Sequence, residues 1–132
     1  MGLLASRKVD ESAQRRYAED QELAERLPEL LKAVASAERD LYDAREHGTD
    51  YAELKRCGVA LDRALTDAMR AAYAKERVLI GPRGLTDRIY RRKRLARPEV
   101  KQTTALAERL LTERETHRLH GIERVPRSLE VG

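Results

Sequence analysis

Several residue types that usually build a protein core are missing from this sequence. It has no Phe and no Trp, and its five tyrosines make up only 4% of the 132 residues. An apolar core must therefore be built from Leu, Ala and Val. A composition rich in these residues and in Glu and Arg is typical of long helices and coiled coils. We predict an all-α protein.

Cysteine and long apolar runs are also scarce. Cys57 is the only cysteine, which excludes a disulfide framework and a multi-cysteine metal site and fits a reducing compartment. No Cys/His signature surrounds it, so we expect a small buried apolar residue rather than a nucleophile. No run is long enough to cross a membrane, and the first ten residues are too weakly apolar for a secretory signal. We expect a cytoplasmic protein without a membrane segment.

The apolar residues that are present recur at spacings of three and four along two stretches, which predicts two long amphipathic helices. The first stripe is Leu23, Leu27, Leu30, Val34, Ala37, Leu41 and Ala44; the second is Leu54, Gly58, Leu61, Leu65, Ala68, Ala72 and Leu79. Between them, Gly48 can end a helix, and Asp50 with Glu53 has the spacing of a capping box. The stripes have similar lengths, so we predict a long antiparallel hairpin that resembles a coiled coil.

Turn signals divide the chain, which has the length of a single domain, into five predicted elements. They are a helix over 12–47 that is kinked near Pro28, a helix over 50–80, a short basic helix over 86–96, a fourth helix over 98–120, and an extended tail over 121–132. The first stripe keeps its phase across Pro28, so we favour a kink over two separate helices. A thin hairpin leaves apolar surface uncovered, which predicts packing by the rest of the chain and a homo-oligomer.

Positive charge is concentrated in one segment. Residues 81–101 carry eight basic and two acidic side chains, whereas residues 1–80 carry 14 basic and 16 acidic ones and residues 102–132 carry five of each. Such a local excess is typical of contact with a polyanion. We predict that the basic segment, residues 83–101, binds the phosphates of nucleic acid through Arg88, Tyr90, Arg91, Arg92, Lys93, Arg94, Arg97 and Lys101.

The helical period also predicts which side of the basic helix faces the protein. The apolar side, expected to dock on the hairpin, carries Leu85, Ile89 and Ala96. The side expected to face solvent carries Tyr90, Arg91, Arg94 and Arg97. An arginine can donate two parallel hydrogen bonds to a phosphate and keeps its charge at any ordinary pH, and an exposed tyrosine can stack on an unpaired base.

The sequence leaves other interpretations open. The arginines can form a solvated surface or pair with acidic residues of the first helix. The protein can also be a phage or mobile-element structural or adaptor protein that works through oligomeric contacts, or a small inhibitor or regulator that binds an acidic protein surface. His117, His120 and Glu113 are too few for a convincing metal site, and no nucleophile has a base beside it. We expect no metal, no cofactor and no enzymatic activity.

Overall fold

The computed structural model describes the backbone of residues 2–123 and the side chains of residues 10–123. Over this range the chain is almost entirely helical and has no strand, which confirms the all-α prediction. The helices are α1 (Gly2–Glu25), α2 (Leu27–Glu46), α3 (Tyr51–Ile80), α4 (Arg88–Leu95) and α5 (Pro98–Thr116). A 3₁₀ turn, Pro82–Leu85, precedes α4, and a π-helical turn, His117–Gly121, follows α5.

The chain before the first turn forms two helices where the sequence favours one kinked helix. Arg26 alone separates α1 from α2, and its backbone remains close to helical, with φ −81° and ψ −9°. Pro28 lies in the first turn of α2, where a missing amide donor costs least, and it cannot donate to the carbonyl of Ala24 in α1. The helix therefore breaks at the proline, and both parts pack against α3.

The turn between α2 and α3 has the predicted capping residues. Gly48 has a φ of +61°, the left-handed conformation that ends many helices. The amide of Thr49 donates to the carbonyl of Ala44 at 3.2 Å. The Asp50 carboxylate accepts a hydrogen bond from the amide of Glu53 at 2.9 Å, so Asp50 caps the N-terminus of α3.

The core is arranged around α3, which packs against α1, α2 and α5. Ala68, Ala71 and Ala72 on α3 are completely buried, and their small side chains allow the neighbouring helices to approach closely. Most positions of the predicted stripes are buried. In α2 and α3 these are Leu27, Leu30, Val34, Leu41, Ala44, Gly58, Leu61, Leu65, Ala68 and Ala72; in α5 they are Val100, Thr103, Ala107 and Leu110. Cys57 is buried as predicted, and burial raises the pKa of its thiol.

The end of α5 is attached to α3 and α2 by the π-helical turn. The buried His117 donates from Nε2 to the carbonyl of Gly58 at 2.7 Å. Gly121 lies so close to this ring that a Cβ there would overlap it. Arg45 on α2 donates to the Gly121 carbonyl at 2.6 Å. Of the predicted extended tail, residues 121–132, the structure describes only residues 121–123. Residues 124–132 lie outside the described range.

None of the helices between residues 2 and 123 combines the length and the apolar character needed to cross a membrane.

Candidate nucleic-acid interface

The basic helix α4 follows α3 through a short, tightly folded connection. Gly81, with a φ of +91°, ends α3, and its amide donates to the carbonyl of Arg77 at 2.9 Å. Asp87 then caps α4, because its carboxylate accepts from the Tyr90 amide at 3.0 Å. That hydrogen bond, followed by one from Arg83, holds the pKa of Asp87 below its ordinary value. Asp87 therefore caps the N-terminus of α4 and forms an ion pair with Arg83.

Arg94 fastens α4 to the end of α3. Its side chain is half-buried, and Nη2 donates to the carbonyl of Leu79 at 2.8 Å. Leu79 belongs to the last turn of α3, where carbonyls have no partner within the helix and where a positive charge is favourable. The Nε atom of Arg94 is buried and has no hydrogen-bond partner among the described residues. Arg94 thus attaches α4 to α3 through this hydrogen bond.

Two guanidinium groups lie over the Tyr90 ring. The Arg83 guanidinium is 4.6 Å from the ring centroid and the Arg94 guanidinium is 5.7 Å from it. These are distances at which cations are attracted to the face of an aromatic ring. Tyr90 is half-buried, so its ring forms part of the attachment of α4.

The predicted orientation of α4 is wrong in part, although Arg91 and Arg97 are exposed as predicted. Ile89 is 72% exposed, and Leu85 and Ala96 are also exposed, whereas Tyr90 and Arg94 face the protein. The physical reason is the C-terminus of α3. An inward Ile89 would bury apolar area but would leave the Leu79 carbonyl without a donor, whereas Arg94 and Tyr90 together bury surface and satisfy that carbonyl.

The other predicted contact residues form an exposed cationic surface. We define it by six side chains, all exposed and none in an ion pair with an acidic side chain of the described range: Arg88, Arg91, Arg92, Lys93, Arg97 and Lys101. By contrast, arginines elsewhere in the chain are often paired, including Arg45, Arg56, Arg77, Arg109, Arg114 and Arg118. Six of the eight predicted residues are therefore exposed and form no ion pair within the described range, whereas Tyr90 and Arg94 are half-buried.

One acidic residue of α1, Asp20, has a partner outside this surface. Asp20 accepts two hydrogen bonds from Arg77 on α3, at 2.9 and 3.1 Å. This pair lines a cavity of about 150 Å³ beside α1, whose walls also include Tyr17 and Arg91. Asp20 thus neutralises Arg77 and leaves the exposed cations of α4 unpaired.

Arg83 is the residue that sequence reasoning missed. It lies within the basic segment but outside the predicted contact set, and the structure shows it stacked on Tyr90 and paired with Asp87 at 3.3 Å. The spacing of four residues from Arg83 to Asp87 was the available signal for this pair.

The structure gives His117, one of the three residues considered for a metal site, another partner. His117 is occupied by its hydrogen bond to Gly58, and no group of three or more His, Cys, Asp or Glu side chains between residues 10 and 123 is placed to hold a metal ion.

No protein-family model matches this chain, and the searches of curated proteins and of solved structures also found no significant match. Inference about its function therefore depends on the exposed cationic surface itself.

Proposed function

We propose that this protein binds nucleic acid without enzymatic activity, through contacts between phosphates and the exposed cationic surface. One observation carries the proposal: the six cations are exposed on α4 and at the start of α5, and none of them forms an ion pair with an acidic side chain of the described residues. A buried or paired arginine would have to give up its partner to bind phosphate, whereas these side chains only release water and counter-ions.

The surface spans the junction of two helices. Arg88 and Arg92 lie one turn apart on α4 with Lys93 beside them, while Arg97 directly precedes α5 and Lys101 lies in its first turn. The attachment of α4 through Arg94 and Tyr90 holds these cations on a rigid support. A fixed array of like charges favours a ligand with repeated negative charge over a single anion.

The proposal assigns a supporting role to the remaining helices. In it, α2 and α3 form an antiparallel hairpin that resembles a coiled coil, and the protein acts in the cytoplasm as a homo-oligomer. Exposed apolar side chains on the hairpin and beyond it support the oligomer. They are Tyr42 at 62%, Val59 at 42% and Leu119 at 65% exposure.

The experiment compares two triple variants that lose the same charge. Arg88→Ala/Arg92→Ala/Arg97→Ala removes three of the six cations of the surface, whereas Arg39→Ala/Arg63→Ala/Arg70→Ala removes three exposed arginines of α2 and α3. We expect the parent protein to bind DNA with an affinity that falls steeply with salt. The first variant should lose up to about three units of the slope of log K against log salt, about one per lost phosphate contact, and the control should lose little.

Fluorescence anisotropy of labelled DNA at low and moderate salt measures both quantities. Equal losses in the two variants would show that net charge alone attracts the DNA, and the proposed surface would be withdrawn. If the parent protein does not bind at low salt, nucleic-acid binding is overturned, and an acidic protein surface becomes the partner to test.

A further inference from the structure

We infer that the exposed cationic surface accepts duplex nucleic acid in preference to single strands. This inference rests on the proposed function and concerns the form of its ligand. It comes from the position of Tyr90 and from the side chains that α4 exposes in its place.

Sequence-tolerant binding of single strands relies on aromatic side chains on which the unpaired bases stack. Tyr90 is the only aromatic residue between positions 81 and 101. Its ring is half-buried and has the guanidinium groups of Arg83 and Arg94 at 4.6 and 5.7 Å. A base that stacks on this ring has to compete with these two guanidinium groups, one of which also donates a hydrogen bond to the Leu79 carbonyl. The basic segment therefore lacks an available aromatic platform.

None of the other tyrosines offers an exposed ring beside α4. Tyr17, Tyr51 and Tyr73 are half-buried, and Tyr17 lies in the wall of the cavity that Arg91 also lines. Tyr42 is exposed, but it lies near the end of α2, beside the turn that leads into α3. Helix α4 is attached at the opposite end of α3, and the 30 residues of α3 rise about 45 Å. Tyr42 is thus far from the cationic surface.

The side chains that α4 exposes can contact the sugar-phosphate backbone of nucleic acid but offer no aromatic ring for stacking on its bases. Ile89 lies among Arg88, Arg92 and Lys93 and is 72% exposed, but an aliphatic side chain offers no aromatic face for stacking. The cations around it can neutralise phosphates. A duplex presents one charge per ~1.7 Å of its axis, more densely than a single strand, so it gains more from a surface that offers charge alone.

The first test uses the full chain and a labelled DNA duplex of mixed sequence, with either of its separated strands as the comparison. We expect the duplex to bind at least about tenfold more tightly at matched low salt. Equal or tighter binding of the single strands would overturn this inference but leave the proposed function standing, and it would point to stacking by the arginine planes. If neither the duplex nor the single strands bind, both this inference and the proposed function are overturned.

The second test adds the platform that the structure lacks. Ile89→Tyr places an aromatic ring among the cations at a position so exposed that the fold tolerates it. Because stacking of one base contributes about 1 kcal/mol or more, we expect single-strand affinity to rise about fivefold or more, with duplex affinity little changed. Tyr90→Phe keeps the half-buried ring and serves as the matched control. We expect it to change neither the single-strand affinity nor the duplex affinity. If Ile89→Tyr leaves single-strand affinity unchanged, the lack of a platform is not what excludes single strands, and the inference fails.

Discussion

Arg94 shows how one arginine can fix the position of a whole basic helix. Its guanidinium donates to the Leu79 carbonyl at the end of α3 and lies 5.7 Å from the centroid of the Tyr90 ring. The carbonyl gains a donor that its own helix cannot provide, and the charge lies where the α3 dipole favours it. Arg94 therefore differs from its neighbours on α4, whose charges remain in solvent.

We predict that Arg94→Ala destabilises the protein, even though it reduces the repulsion between the eight basic side chains of residues 81–101. Loss of a hydrogen bond from a charged donor to a partly buried carbonyl should lower the free energy of unfolding by about 1.5–3 kcal/mol. Arg92→Ala, at an exposed neighbouring position, should change it by less than about 0.5 kcal/mol. Urea unfolding followed by circular dichroism measures both, and equal effects would contradict the structural role of Arg94.

At the scale of elements, the attachment of the chain after α5 depends on polar contacts with α3. Arg118 in the π-helical turn donates to Asp62 at 2.6 Å, and Arg114 donates from Nε to the Thr66 hydroxyl at 2.7 Å. The buried His117 adds its hydrogen bond to the Gly58 carbonyl. These three contacts lie at positions 58, 62 and 66, one turn apart along α3, so α5 and its turn follow one side of that helix.

The Asp62 contact predicts a pH-dependent contribution to stability. The hydrogen bond from Arg118 is the main reason that the pKa of Asp62 is lowered in the folded protein. Its stabilising effect is therefore fully present above the ordinary carboxyl pKa of about 3.9 and is lost as the pH falls through the lower folded value. Asp62→Asn should decrease the urea midpoint at neutral pH, and the difference from the parent should shrink at a pH of about 2.

Asp67→Asn is the matched control for this measurement, because Asp67 is exposed on the same helix and has no ion pair with a described residue. It should shift the urea midpoint little at either pH. An Asp62→Asn effect that stays constant down to acidic pH would show that the contact acts by packing or hydrogen-bond geometry and not through the carboxylate charge.

The orientation of α4 illustrates what a helical pattern can predict for a short element. The stripes of α2, α3 and α5 extend over several turns, and their buried sides follow the spacing of the apolar residues. Helix α4 has only eight residues. Over two turns, one favourable hydrogen bond and one aromatic ring outweigh the burial of Ile89, so the apolar residues of the segment did not identify its inner side.

At the scale of the molecule, α3 is the helix on which the others assemble. Leu65, only 2% exposed, lies at its middle, and burial of such a side chain contributes about 1.5–3 kcal/mol. Because α1, α2 and α5 all pack against α3, a change in its core affects every other long helix.

This arrangement separates the core of the chain from the exposed apolar side chains of the proposed contact between copies. Val34 is 6% exposed and belongs to the core, whereas Tyr42 on the same helix is 62% exposed. A charge at Val34 must be buried without a partner, so we expect Val34→Glu to abolish cooperative thermal unfolding. Tyr42→Glu should stay folded and reduce the mass in solution to that of a single chain, because it places charge in the proposed contact between copies.

Circular dichroism tests the first expectation, and light scattering after size-exclusion chromatography tests the second. Arg39→Glu, a charge change at an exposed position of α2, is the control for Tyr42→Glu. A parent protein that already has the mass of one chain would overturn the proposed homo-oligomer, and an unchanged mass for Tyr42→Glu would exclude this part of the surface from the contact.

The sequence by itself determined the helical class, the buried sides of the long helices, the turn at Gly48 with the cap at Asp50, and the location of the positive charge. These properties depend on neighbours within a few turns, and local spacing records them. Only the tertiary structure decided which charges of the basic segment remain free. Arg94 meets the Leu79 carbonyl 15 positions earlier in the chain, and His117 meets the Gly58 carbonyl 59 positions earlier. Such partners are set by how helices pack, because a polar group near a helix end takes whichever donor or acceptor the packing brings within reach.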